Sequence, residues 1–371
     1  ELYVAQPKEG QPDMDPRCLL RVKKGIFGLA GAPRSWWRKL RRGLISANLE
    51  DENGQTIHVM QSRLDPTVFR GLNKDGMLCS LVCVHADDLL VATESQALRR
   101  GVRGLFNVCE WRRVPVVFCG KNMERDPNGG FALDQSAFVE GRFEPVELEK
   151  SRKSKPDLEC NSAEIADSRS ASGSLGWPAR EKRPDLSCAV SMAQRTRNKP
   201  AVQNALGLNA AINVVQETAR EKFHMPRLDN SSAGCVIVYH DAAWGNALSE
   251  EEAIQKMAQG EKVHSQAGYL VYMCERQVAE GEPGKAILVD WSHALPRVAR
   301  STFAAEAQSC TEAFDAAELV RATIVEMMCV DLDIANREML ASIPDSGKLL
   351  QEKRLFVDLA WLREAMQLGD A

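Results

Sequence analysis

The sequence predicts an α+β protein with two or three domains. Apolar strands joined by short turns fill much of the first half, and helical patterns follow them in the middle of the chain. The last third starts with strands again and ends in one long helical pattern, which is typical of a separate α/β domain. The length of 371 residues is enough for this division, at roughly 100–200 residues per domain.

Composition excludes several classes of protein. Hydrophobic residues make up 44% and charged residues 26% of the chain, as in ordinary soluble domains. The net charge of −4 argues against a uniformly basic coat protein for nucleic acid. The 11 cysteines form no CxxC pair, so neither a zinc ribbon nor a disulfide framework is indicated, and a reducing compartment is favoured. No signal peptide or membrane-spanning segment is visible, and we expect an intracellular protein, cytoplasmic or nuclear, without a membrane partner.

The segment from Arg17 to Arg42 is basic and contains no acidic residue. Its cations are Arg17, Arg21, Lys23, Lys24, Arg34, Arg38, Lys39, Arg41 and Arg42. Ala32-Pro33-Arg34 opens a helical pattern within it, with Trp36, Trp37 and Leu40 as the candidate buried stripe. A solvated helix face is the ordinary interpretation of such a run, but solvated faces usually mix both signs of charge. The run therefore also predicts a surface that binds phosphates.

Two carboxylates stand at the tip of a predicted hairpin. Met77–His85 and Leu89–Thr93 are apolar strand candidates, and only Ala86-Asp87-Asp88 lies between them. Adjacent carboxylates repel each other and resist burial, and a divalent cation relieves both penalties. Nucleotidyl transfer with two metal ions needs carboxylates on rigid strand ends. Aspartate is also a common turn residue, so the dipeptide alone leaves both interpretations open.

Further elements follow in order. A second hairpin is predicted from Val116–Met123 and Phe131–Leu133, and the polar stretch Glu147–Ser172 is the best linker candidate. Helices are predicted up to Trp177, from Arg183-Pro184-Asp185 onward, and over Ala201–Thr218. The tail predicts strands at Cys235–Tyr239, Gln266–Cys274 and Ala286–Trp291, and then a helix over Ala304–Met328.

Seven segments of the chain match known signatures in the same order. The first two are Ile26–Trp37, which reads IFGLAGAPRSWW, and Val84–Val91, which reads VHADDLLV. They resemble LYGLKQAPRAWY and the YVDDLLI hairpin of the copia-type LTR retrotransposon Pol polyproteins, in their reverse transcriptase and RNase H region. The other matches are Phe118–Gln135, Arg169–Leu175 with Arg183–Leu186, Tyr239–Trp244, Ser265–Tyr269 and Ser301–Ala307. A single match would be weak, but together they cover nearly the whole chain.

The resemblance implies an architecture and an activity. Residues 1–146 would be part of the reverse transcriptase fingers and palm, and residues 147–228 a linker with a helical thumb or connection. Residues 229–371 would be an RNase H-like α/β domain with a mixed sheet, incomplete at its C-terminal end. The implied activity is RNA-directed DNA polymerisation with RNase H, using two Mg²⁺ or Mn²⁺ ions per site. The implied partners are an RNA or DNA template–primer, an RNA–DNA hybrid and dNTP.

The resemblance also assigns roles to residues. Asp87 and Asp88 would be the paired metal ligands of the palm, and Asp241 and Glu306 the first two metal ligands of the RNase H site. The basic segment would contact template–primer phosphates. Without the resemblance, Asp241 would be interpreted as a strand-end turn residue and Glu306 as a solvated helix position.

The sequence departs from the family at both catalytic centres. The family's first palm aspartate precedes the segment that Leu2–Pro7 matches, and no residue here corresponds to it. After Met328 no strand resembles the one that carries the third RNase H aspartate, and Asp331 and Asp358 are weak substitutes. We therefore expect a truncated or decayed copy that is impaired as a polymerase.

Two alternative functions stay open at this point. One is a non-catalytic remnant of the Pol polyprotein that still binds nucleic acid. The other is an unrelated metal-dependent hydrolase, which would need Asp87, Asp88 and Asp241 to converge.

Overall fold

The computed structural model describes most of the chain, and its α+β class agrees with the sequence prediction. The described residues are 2–9, 14–15, 17–23, 29–106, 110–229, 234–243, 255, 265–292 and 301–328. They divide into two compact units. The first unit takes in residues 1–111 and 325–333, and the second takes in residues 112–324 and 334–371.

The first unit is built on an antiparallel sheet. Two short strands, β1 (Tyr3–Val4) and β2 (Leu20–Arg21), pair with each other outside it. The five strands of the sheet, in spatial order, are β3 (Leu49–Glu50), β4 (Thr56–Gln61), β5 (Val68–Leu72), β6 (Leu78–His85) and β7 (Asp88–Thr93). Spatial order follows chain order, so each strand pairs with the next one along the chain.

Two helices, α1 (Ala32–Ile45) and α2 (Gln96–Leu105), cover one face of this sheet. The buried side chains between them and the strands include Leu40 and Leu44 of α1, Leu98 and Val102 of α2, and Phe69, Val82 and Val84. Strand residues alternate between the two faces, so residues two apart on β6 reach the same core. Each large apolar side chain buried in this way contributes about 1.5–3 kcal/mol relative to exposure.

Helix α1 begins where the sequence predicts. Pro33 lies in its first turn, where a missing N–H costs nothing. Trp36 and Leu40 face the sheet together with Leu44, one helical turn apart. Trp37 was predicted in the same buried stripe, but it is only partly buried and lies beside arginines on another side of the helix. One residue rotates a helical position by about 100°, which is why neighbouring tryptophans point in different directions.

The second unit starts with a sheet of four antiparallel strands. In chain order they are β8 (Val116–Phe118), β9 (Lys121–Arg125), β10 (Phe131–Asp134) and β11 (Phe223–Met225). The sequence predicts one strand over Val116–Met123, but the structure breaks it into β8 and β9 at Cys119-Gly120. Both residues have positive φ, 50° and 67°, which makes a tight turn. A Cβ on Gly120 would come within 2.8 Å of the Trp177 ring, so glycine is required there.

Helices form the middle of the second unit. They are α3 (Ser136–Arg142), α4 (Lys150–Lys153), α5 (Ser162–Glu181), the 3₁₀ turn Pro184–Leu186, α6 (Ser187–Thr196) and α7 (Val202–Glu217). Helix α5 begins inside the stretch predicted as a linker. Its small residues, Ala171 and Ser172 among them, are buried against neighbouring helices. The Asn161 side chain also caps its first turn, accepting from the N–H groups of Ala163 and Glu164.

The tail of the second unit forms the predicted strands and helix. The described strands are β12 (Cys235–Ala243), β13 (Gln266–Cys274) and β14 (Ala286–Ser292), and all pair antiparallel in that order. A short helix α8 (Arg276–Ala279) precedes β14, and the long helix α9 (Thr302–Met328) follows it. The mixed sheet and the three domain boundaries stay predictions. Within the described ranges, no helix combines the length and apolar character that a membrane span requires.

The last turn of α9, from Val325, belongs to the first unit. Glu326 is buried there, and its carboxylate accepts hydrogen bonds from the Ser62 hydroxyl at 2.6 Å and the Arg63 main-chain N–H at 2.7 Å. The Arg70 guanidinium donates to the Glu326 carbonyl oxygen. A buried charge is costly unless it is hydrogen-bonded, so these contacts explain how a glutamate is accommodated at this position.

Candidate functional site

The hairpin with two carboxylates forms, but its turn is one residue shorter than the sequence predicts, because Asp88 belongs to β7. His85 on β6 pairs with Asp88 on β7, so only Ala86 and Asp87 remain for the turn between them. Ala86 has a φ of 52°, in the left-handed region that two-residue hairpin turns require at their first central position. An alanine there is strained by about 1 kcal/mol, because its Cβ approaches the following carbonyl oxygen. The tip is therefore short and held by its surroundings.

The strand alternation fixes which way the second carboxylate faces. Val84 and Leu89 form a cross-strand pair that packs towards the helices. His85 and Asp88, the next pair along, therefore stand on the opposite face of the sheet. Asp87 and Asp88 are both exposed, which leaves their carboxylates accessible to a cation or a phosphate-bound metal.

Trp36 joins the hairpin tip to helix α1. Its indole N–H donates a hydrogen bond of 2.9 Å to the carbonyl oxygen of Ala86. The two elements in contact carry two of the segments that resemble the Pol family in sequence. The sequence predicts Trp36 as a buried residue of α1, and sequence reasoning missed this contact. No local pattern signals it, because the two residues are 50 positions apart.

All described members of the basic segment are exposed. Arg17, Arg21 and Lys23 lie in or near β2, whereas Arg34, Arg38, Lys39, Arg41 and Arg42 share helix α1; Lys24 lies outside the described residues. Arg17 forms an ion pair of 2.9 Å with Asp15, and its hydrogen bonds lower the pKa of that carboxyl group. The pair is exposed, and such pairs contribute little, so phosphate contacts can compete with it.

A groove follows the outer side of α1. It has a volume of about 390 Å³ and is lined by Trp37, Arg38, Arg41, Arg42, Ile45 and Ser46. The Arg41 guanidinium lies 6.0 Å from the centre of the Trp37 ring, and its Nε donates to the Gln61 side-chain oxygen at 2.6 Å. The groove residues face away from Leu40 and Leu44 on the helix. The helix layer therefore separates the groove from Asp88, which stands on the other face of the sheet.

Asp241 and Glu306 lie on elements that touch each other. Asp241 is exposed on β12, two residues before the strand ends. The Ser309 hydroxyl of α9 donates to the Asp241 carbonyl oxygen at 3.1 Å, and Glu306 lies one helical turn before Ser309. Burial, and then the nearby Glu306 carboxylate, raise the pKa of the Cys310 thiol. The strand and the helix thus meet near both predicted ligands.

A cavity of about 270 Å³ lies beside Asp241. Ser187 and Cys188 of α6 border it together with Gln266 and Trp291 of the sheet. The Trp291 indole N–H donates to the Ala179 carbonyl oxygen at 2.9 Å, and the Gln266 amide donates to the Ser191 hydroxyl at 3.1 Å. The α6 residues of this cavity carry no motif that sequence reasoning could have recognised.

The donor sets fit magnesium better than a softer metal. Within the described part of the chain, no group of three or more His, Cys, Asp and Glu side chains is arranged to hold a metal ion. Asp87 and Asp88 offer carboxylate oxygens, and Mg²⁺ commonly takes one or two carboxylates together with waters and substrate phosphates.

Burial, with the Cys235 thiol beside it, raises the pKa of Cys274 to about 11, so this thiol stays protonated. The weak candidates Asp331 and Asp358 lie outside the described residues.

Replacing Ala86 with glycine tests the strain in the turn. Ala86→Gly is expected to raise the free energy of unfolding by about 1 kcal/mol, because glycine adopts a positive φ without the Cβ clash. Urea unfolding measures the change. The control is Ala92→Gly on β7, which should lower the stability by about 0.5–1 kcal/mol, as glycine does within a strand. A loss of stability in both variants contradicts the strained turn.

Comparison with known proteins finds relatives of one kind. The chain is 23% identical over 258 residues to a transposon Ty5-1 protein of Saccharomyces cerevisiae, covering 66% of the chain and 79% of that protein. It is 25% identical over 287 residues to the retrovirus-related Pol polyprotein from transposon RE2 of Arabidopsis thaliana, and 23% over 288 residues to that from transposon RE1. Both alignments cover 74% of the chain, which spans 18% of each polyprotein. No family model matches the chain, and no solved structure matches it significantly. The chain is therefore a relative of the retrotransposon Pol polyproteins.

Proposed function

We propose that the chain is part of the reverse transcriptase palm and RNase H region of a retrotransposon Pol protein. In this proposal, it binds a divalent cation at Asp87 and Asp88, and binds nucleic acid through its basic segment. The observation that carries the proposal is the exposed carboxylate hairpin bonded to the basic helix through Trp36. The relationship to Pol polyproteins supports it, and the groove on α1 supplies a cationic surface without an acidic lining residue.

The hairpin would hold the cation with few protein ligands. Mg²⁺ or Mn²⁺ bound there would neutralise the repulsion between the carboxylates and polarise a nucleotide phosphate. Asp88 stands on the face of the sheet turned away from the helices, so the nucleotide would approach from that side. Two cations per site are the family's arrangement, and these two carboxylates supply part of that coordination.

The basic groove would contact phosphates and a base. Arginine binds phosphate oxygens through paired N–H groups, and aromatic and guanidinium planes stack on bases. Trp37 and Arg41 already lie one over the other there. Because the groove and Asp88 lie on different sides, a nucleic acid that reaches both must pass the edge where Trp36 meets the hairpin.

Removing charge from the groove should weaken nucleic-acid binding. Replacing Arg38, Arg41 and Arg42 together with glutamine is expected to lower the affinity for an RNA–DNA template–primer. The slope of log K against log salt should fall by roughly 2–3, because each lost phosphate contact removes about 0.7–0.9 from it. Fluorescence anisotropy of a labelled template–primer at several salt concentrations measures both quantities.

The control variant removes equal charge elsewhere in the first unit. Lys74, Arg100 and Arg103 are exposed and lie outside the basic segment, and replacing them with glutamine should change affinity and slope much less. Equal losses of affinity in the two variants would show that binding depends on net charge and not on the groove. A flat salt response of the unmodified chain would contradict phosphate binding altogether.

These 371 residues are expected to bind a primer without extending it. In-line transfer with two metals needs a carboxylate that bridges both ions, and within the described residues no group of three or more acidic, His or Cys side chains is arranged to hold a metal ion. The assay is template-dependent dNTP incorporation with Mg²⁺ or Mn²⁺, with Asp87→Asn as the matched control. If the unmodified chain incorporates dNTP and Asp87→Asn does not, the chain is an active polymerase, and the expectation of binding without extension is wrong.

Cleavage of RNA–DNA hybrids is the second candidate function. The contact between Ser309 and Asp241 favours it, because it brings together the elements that carry Asp241 and Glu306. We expect weak, metal-dependent hybrid cleavage that Asp241→Asn and Glu306→Gln each abolish. The control is Asp290→Asn, since Asp290 pairs with Val271 and faces away from Asp241. Absent cleavage, or cleavage that survives both substitutions, contradicts this function.

A further inference from the structure

Trp36 is the side chain that contacts the carboxylate turn from helix α1. The accepting carbonyl belongs to Ala86, the residue whose backbone is in the left-handed region. A hydrogen bond to that carbonyl fixes the orientation of the peptide that links Ala86 to Asp87. The indole therefore acts on a peptide whose rotation would redirect the first carboxylate.

The indole ring is itself held from two sides. The Phe106 ring packs against it edge to face, with ring centres 6.1 Å apart and an interplanar angle of 68°. The Lys39 ammonium lies 6.0 Å from the ring centre. Gly43 leaves room for Phe106, since a Cβ there would stand 3.0 Å from two of its ring carbons. These contacts leave the indole N–H with a defined direction.

The helix that carries Trp36 is also fixed to the sheet. Leu40 and Leu44 follow at four-residue spacing and are fully buried against the strands. A donor on a rigid, buried element holds its acceptor more accurately than a donor on a loop. The hydrogen bond from Trp36 thus holds the exposed tip of the hairpin in a fixed position relative to the core.

We propose that Trp36 is a positioning residue for the metal site and that it acts through the Ala86 carbonyl. This inference rests on the proposed binding of a cation by Asp87 and Asp88. Two like charges on adjacent residues tend to separate, and a two-residue turn without an external contact can rotate to let them do so. The indole bond opposes that rotation, so both carboxylates stand ready before the cation arrives. Preorganisation of this kind raises affinity by lowering the cost of ordering the ligands.

The test compares Mn²⁺ affinity among variants of the full chain. Trp36→Phe keeps an aromatic ring and removes the donor, and it is expected to weaken Mn²⁺ binding about fivefold, the factor that one such hydrogen bond is commonly worth. A second variant carries 3-benzothienylalanine at position 36, which replaces the N–H with sulfur at nearly constant shape. It should show the same loss, even if Trp36→Phe fails to fold. Electron paramagnetic resonance of free Mn²⁺ measures the affinities.

Three further measurements make the result specific. Trp111→Phe, on a tryptophan that packs partly buried against the cluster around α2 and belongs to neither proposed binding surface, should leave Mn²⁺ affinity unchanged. The thermal midpoint of the benzothienylalanine variant should fall by only a few degrees, the loss of about one hydrogen bond, so the weaker Mn²⁺ binding cannot be attributed to unfolding. Bound Mn²⁺ should also broaden the Trp36 indole N–H resonance more than that of Trp37.

The outcomes separate the inference from the proposed function. Weaker binding in both position-36 variants, with normal binding in Trp111→Phe, supports the positioning role. Equal affinity in all three variants, when Asp87→Asn abolishes binding, overturns the role of Trp36 and leaves the metal site standing. Equal Mn²⁺ affinity of the unmodified chain and Asp87→Asn overturns the metal site itself, and with it this inference.

Discussion

Two neighbouring carboxylates at the end of a two-residue turn are the constraint on which the first unit depends. Asp87 and Asp88 repel each other, and the turn that carries them needs a positive φ at Ala86. Neither condition is favourable in an isolated hairpin. The paired strands β6 and β7 hold the register, and the indole of Trp36 holds the turn peptide. The tip therefore depends on the core beneath it.

The first unit supplies that support through one continuous set of contacts. Phe106 fixes Trp36, Leu40 and Leu44 fix helix α1, and the alternation of β6 carries the same core up to Val84. The next position along the strand, His85, already belongs to the other face. The sheet thus separates the side covered by α1 and α2 from the side that carries Asp88. The arginines of α1 line the outer surface of the helix layer.

Much of this arrangement could be predicted from the sequence, because hydrophobic periodicity and turn residues are local patterns. The carboxylate hairpin, helix α1, the three described tail strands and the long helix α9 all have the periodicity or turn residues that predict them. Two expectations failed because packing decided them. The strand Val116–Met123 is broken where Trp177 fills the space beside Gly120, and α5 extends into a polar stretch whose small side chains are buried. The contact that Trp36 makes with Ala86 joins residues 50 positions apart, and no local pattern contains it.

Cleavage of the chain by bound iron tests the central claim, that a divalent cation binds at the hairpin tip next to α1. Fe²⁺ in place of Mg²⁺ produces hydroxyl radicals with ascorbate and peroxide, and these cut the backbone near the metal. The predicted cuts fall at residues 84–90 and at residues 33–36, the turn that Trp36 brings to Ala86. Excess Mg²⁺ should suppress them, and Asp87→Asn combined with Asp88→Asn should abolish them. Cuts that avoid both segments, or that persist in the double variant, would contradict a cation site at this hairpin.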